Sequence, residues 1–218
     1  MRRVSEAEYS LVFESVLPAT MTPPGAPGGV LSGTHAAAPS LVGRAHARHD
    51  ARMVVLEQLR LLSEERFLAL YLALSEKGYG PLDGEVAKLL RFRPQAIRKV
   101  PIEKRAKLAR QWIERKNSSD LCYELFGTYL VRTRRELVTG FLDATGVAHE
   151  DGMIEDVEKA RPDPAKLAEA VRTLDQRFAP EDVTLYLALC AEQWPAIPEL
   201  LALWRERAGA PAGAAPST

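Results

Sequence analysis

Apolar residues recur at three- and four-residue steps along most of the chain beyond residue 43, which is the spacing of one face of an α-helix. The clearest run is 120–145, DLCYELFGTYLVRTRRELVTGFLDAT. Cys122, Phe126, Tyr129, Leu130, Leu137, Phe141 and Ala144 share a face there, and Leu121, Leu125, Val138 and Leu142 widen it. A stripe that wide needs neighbours on more than one side. Ser118, Ser119 or Asp120 can cap the start by accepting a free backbone N–H, and Gly146 can take the left-handed conformation that closes the end. Read as one helix, the run would be about 39 Å long, enough to cross a small domain.

The same spacing predicts helices over 44–61, 64–77, 83–91, Pro94–Lys99 and 101–116 ahead of that run, and over 165–178, 181–193 and 198–207 after it. Ser63 is the expected cap of the second, and Gly78, Gly80 and Pro81 its stop. Residues 4–16 carry a short apolar segment with Tyr9, Leu11, Val12 and Phe13, and 17–43 are rich in Pro, Gly, Ala, Ser and Thr with no apolar period. They read as a docking helix on a flexible linker, and 209–218 as a disordered tail. The expected architecture is therefore all-α: one multi-helix domain, 44–208, around a long central helix, with a flexible N-terminal tether. Leu70-Tyr71-Leu72-Ala73-Leu74 recurs at an offset of 115 as Leu185-Tyr186-Leu187-Ala188-Leu189, and the ungapped offset also aligns Leu59 with Leu174, Leu82 with Ile197 and Ala87 with Ala202. That recurrence suggests two similar helical units.

Composition adds little except through charge. Hydrophobic residues at 46% and charged residues at 27% are globular values and argue against general disorder. Two cysteines in apolar helical patterns fit a reducing compartment. Acidic residues interrupt the amino terminus where a signal peptide needs an apolar core, so a cytoplasmic protein without a membrane span is expected. The net charge of zero hides a separation: 88–116 holds eleven Lys or Arg against two Glu, whereas 136–199 holds fourteen acidic residues against five basic ones.

Within the basic region, Asp83–Val100, DGEVAKLLRFRPQAIRKV, divides into a first helix EVAKLL, a turn RFR and a second helix PQAIRKV. It resembles the helix-turn-helix of bacterial DNA-binding proteins, with Ala87 and Ile97 where that family places its small packing residue and its buried aliphatic. Arg91 departs from the pattern by standing where the family usually has the glycine of the turn, and Pro101 limits the second helix to about two turns. The resemblance implies Gln95 and Arg98 at base edges, with Arg91, Arg93 and Lys99 on phosphates. The helix that follows, 101–116, buries Ile102, Ala106, Ala109 and Ile113 on one face. Its pattern turns Lys104, Arg105, Lys107, Arg110, Arg115 and Lys116 outward, with Trp112 beside them as a stacking candidate if exposed. The acidic 136–199 region is the internal alternative, since it could fold against this surface and neutralise it.

No catalytic signature is present. Pro24-Gly25-Ala26-Pro27-Gly28-Gly29 lacks the Lys-Ser/Thr of a phosphate loop, no Gly-x-Ser-x-Gly occurs, and neither cysteine has a neighbouring histidine. His46, His49 and Asp50 fall short of a zinc ligand set, and His149, Glu150, Asp151, Glu155 and Asp156 lack the alternation of a calcium loop. No cofactor or metal is expected. The sequence points to a non-enzymatic helical interaction or adaptor module for a protein partner, with nucleic-acid binding through 83–116 as the alternative.

Overall fold

The computed structural model describes residues 53–78, 80–156 and 159–209, all within the compact unit 47–218. Among them nine α-helices succeed one another without a β-strand. They are α1 (Val54–Leu61), α2 (Glu64–Glu76), α3 (Pro81–Leu89), α4 (Ile102–Lys116), α5 (Ser119–Thr133), α6 (Arg135–Thr145), α7 (Leu167–Asp175), α8 (Pro180–Gln193) and α9 (Pro198–Ala208). Short 3-10 segments, Pro94–Lys99 and Pro164–Lys166, precede α4 and α7. The docking segment with Tyr9, Leu11, Val12 and Phe13, the linker and the tail beyond 209 lie outside the described residues, as do His46, His49 and Asp50.

The caps follow the side chains that invite them. Ser63 accepts from the Arg66 N–H at 3.0 Å to start α2, and Ser118 accepts from the Leu121 N–H at 3.4 Å to start α5. Gly146, at φ +75°, closes α6 in the left-handed conformation.

The run 120–145 is two helices, not one, because the chain breaks at Arg134, which has φ −136° and ψ 35°. Arg134 lies four residues after Leu130 and four before Val138, so an unbroken helix would aim its guanidinium along the apolar stripe. Burying an unpaired charge there is expensive. The break instead lets Arg134 reach Asp182, at 2.7 Å from Nε to Oδ2.

α5 packs against α1, α2 and α8, and α6 packs against α7. The most enclosed element is α8, which buries Val183 and every residue from Leu185 to Ala191 while packing on α9, α1 and α5. The two copies of the pentapeptide sit in these different surroundings. α1–α2–α3 and α7–α8–α9 recur in order at the 115-residue offset, and Leu59, Leu70, Tyr71, Leu74 and Leu82 are buried like their counterparts. However, Leu72 is 41% exposed on one-sided α2 while Leu187 is fully buried, and Ala87 is buried while Ala202 is exposed.

A candidate cationic interface

The α3–α4 corner presents the positive charge, and its shape is fixed by the end of α3. The N–H of Arg91 bonds to the Lys88 carbonyl at 3.1 Å and that of Phe92 to the Ala87 carbonyl at 2.9 Å, the paired pattern that ends a helix through a left-handed residue. That residue is Arg91, at φ +54°. The position at which helix-turn-helix proteins usually carry glycine therefore has the glycine conformation without the glycine. Since a side chain in that conformation costs about 1 kcal/mol, Arg91→Gly is expected to leave stability unchanged or raise it by up to about 1 kcal/mol, read as the urea midpoint at constant slope. A loss of that size would mean that the Arg91 side chain stabilises the fold.

Beyond the turn the likeness to that motif ends. Pro94–Lys99 is a six-residue 3-10 segment, with Ile97 buried beneath it, and Val100–Pro101 is extended before α4 begins. No second α-helix stands ready to enter a major groove. Arg91, Arg93, Arg98 and Lys99 are exposed; for Gln95 only the backbone is described.

On α4 the outward set needs correction at two positions. Arg105 is buried, with Nη1 at 2.8 Å and 3.0 Å from the two carboxylate oxygens of Asp83, which also accepts from the Tyr71 hydroxyl. A charge on a buried face is tolerable only when paired in this way. Arg110 turns inward too: Nη2 donates to the Leu59 and Arg60 carbonyls at the end of α1, Nε pairs with Glu114 at 3.0 Å, and the guanidinium lies 5.9 Å from the Phe67 ring centre. It serves as a cap for orphan helix carbonyls. Trp112 is half-buried against the core and is not a free stacking platform.

Lys104, Lys107, Arg115 and Lys116 remain exposed. Lys104, Lys107, Gln111 and Arg115 fall on one outward stripe, about 16 Å from end to end. Along one edge of that stripe, Glu103, Lys107, Arg110, Gln111 and Glu114 of α4 line a groove of about 480 Å³ together with Glu64, Glu65, Phe67 and Leu68 of α2. The cationic face thus has an acidic border.

The acidic region does not neutralise this face. Among the described residues, the ion pairs of 88–116 reach only local carboxylates, Lys88 to Glu85, Arg105 to Asp83 and Arg110 to Glu114. Eight carboxylates of 136–199 pair instead with Arg66, Arg134, Arg135, Lys159, Lys166, Arg172, Arg177 and Arg207 or hydrogen-bond to His149. Arg91, Arg93, Arg98, Lys99, Lys104, Lys107, Arg115 and Lys116 have no ion pair among the described residues.

Other polar clusters are structural. His149 accepts from the Gly152 N–H at Nδ1, so its Nε2 carries the proton toward Asp143, 3.1 Å away. Asp151 and Gly152 both have positive φ, making a two-residue turn closed by Glu150 and Met153. The turn borders a cavity of about 520 Å³ that also touches Ile154, Lys159 and Arg161. Among the described residues no three His, Cys, Asp or Glu converge as a metal set. Burial pushes the Cys122 and Cys190 thiols well above the ordinary range, so neither supplies a thiolate near neutrality.

The sequence reasoning missed Asp182. It is buried, and it accepts from Tyr129 at 3.2 Å, from Arg134 and from Arg66, which joins α8 to α5, to the α5–α6 break and to α2. Both guanidiniums lie over the Tyr129 ring, 5.9 Å and 5.7 Å from its centre. The available signal was an aspartate three and four residues before the buried Leu185 and Tyr186, on their face of the helix.

The fold is thus that of an all-α domain. No known protein family, curated protein or solved structure matches the chain. No helix among the described residues is long and apolar enough to cross a membrane.

Proposed function

We propose that this chain is a non-enzymatic helical interaction module, and that the α3–α4 cationic face is where it receives a partner of dense negative charge. The supporting observation is the set of eight exposed cations without a carboxylate partner among the described residues; no carboxylate of 136–199 pairs with any of them there. An isolated surface charge contributes little, but clustered cations raise the local concentration of a polyanion and gain from counterion release. The carboxylates of Glu64, Glu65, Glu103 and Glu114 oppose such a partner within the groove and leave it the exposed cations of the turn and of α4.

Fluorescence anisotropy of labelled polyglutamate and of mixed-sequence DNA, at low and at near-physiological salt, tests the reading. Binding is expected at low salt and is expected to weaken steeply as salt rises. Joint reversal of Lys104, Lys107 and Arg115 to Glu removes it, whereas Arg172→Glu, exposed on α7 and paired with Glu169, leaves it intact. Failure of every polyanion to bind at low salt would overturn the assignment.

A further inference from the structure

We propose that the polyanion received by this face is single-stranded nucleic acid, held with one base stacked on the Phe92 ring between Arg91 and Arg93. The proposal rests on the polyanion reading above and adds the partner's chemistry.

Phe92 is 47% exposed, the one aromatic among the exposed large hydrophobics of the described residues. Its backbone is already ordered. The Phe92 N–H bonds to Ala87, Arg91 holds the left-handed turn, and Arg93 is extended into Pro94 at the start of the 3-10 segment. A ring displayed from a fixed backbone loses little further entropy when a flat partner covers it. An acidic protein surface would use the flanking cations but has no need of the ring. A nucleobase uses both, since every base has a face to stack and the adjacent phosphates meet Arg91 and Arg93.

The strand must be single. In a duplex the base faces are occupied by their neighbours, and the segment directly after the turn is a 3-10 helix rather than a recognition α-helix for a major groove. Arg98, Lys99 and Lys104, exposed farther along the same stretch, continue the cationic path for the backbone. Five phosphate contacts on a single strand, from Arg91, Arg93, Arg98, Lys99 and Lys104, give a slope of log affinity against log salt of about −3.5.

The full chain is titrated with four labelled probes: a mixed-sequence single strand, its duplex, an abasic strand of the same length, and polyglutamate of equal charge. The single strand is expected to bind most tightly. Phe92→Ala is expected to weaken it roughly tenfold while leaving the abasic strand and polyglutamate unchanged, and Phe92→Trp to restore it. Equal thermal melting of the Phe92 variants and the parent shows that the fold is intact. If polyglutamate binds as tightly as the single strand, or Phe92→Ala weakens all probes alike or none, the stacking proposal is wrong while the polyanion reading stands. If no probe binds, both are wrong.

Discussion

Trp204→Ala is expected to lower the free energy of unfolding by about 4–8 kcal/mol. Trp204 on α9 is fully buried, and its indole N–H donates to the side-chain oxygen of Gln58 on α1 at 2.8 Å. Truncation removes the buried ring and leaves a cavity, which costs about 3–5 kcal/mol. It also leaves the buried Gln58 oxygen without its donor, which adds about 1–3 kcal/mol. Against a typical stability of about 5–15 kcal/mol that loss brings some preparations near unfolding. Trp204→Phe is therefore the more measurable variant: it keeps most of the apolar volume, drops the N–H, and is expected to lose about 1–3 kcal/mol. Urea denaturation of both variants checks the pair. Losses under 1 kcal/mol in each would show that α9 does not hold α1 through this contact.

Asp182→Ala is the second large effect, at about 3 kcal/mol, or a drop in melting temperature of about 6–12 °C. The carboxylate side chain is only 2% exposed and serves Tyr129, Arg66 and Arg134 at once. Arg134, at 40% exposure, can recover water when its partner is lost, so the value falls at the low end for a broken buried pair. Arg134→Ala should cost less, because Asp182 keeps Arg66 and Tyr129. Calorimetry on the two single variants and the double variant gives the coupling directly. A coupling near zero would mean that the α5–α6 break is set by packing and not by this ion pair.

Both predictions concern residues that join distant parts of the chain, which is why the sequence shows one partner of each contact without the other. The candidate cationic interface has the same history. Arg105 and Arg110 look like their neighbours on the α4 pattern, yet Arg105 lies on the buried side, where only the fold supplies Asp83, and Arg110 reaches back to the end of α1. Phe92 attracts no notice as the middle of an RFR turn, and its exposure depends on how Ile97 pulls the 3-10 segment down onto α3.

What the sequence determined by itself is the local layer: the helical spacing, the serine caps at 63 and 118, the glycine stop at 146, and the charge separation between 88–116 and 136–199. Those features depend on residues within a turn or two of one another, and short-range sterics and hydrogen bonding decide them. The tertiary structure alone decided where the long apolar run breaks, which of the two matching pentapeptides became enclosed, and which cations are consumed internally. Each of those outcomes depends on whether a buried charge or apolar face finds a partner on another element, as Arg105 finds Asp83 and Arg134 finds Asp182. Periodicity carries no term for such a meeting, because desolvation is settled only when the helices have closed around it.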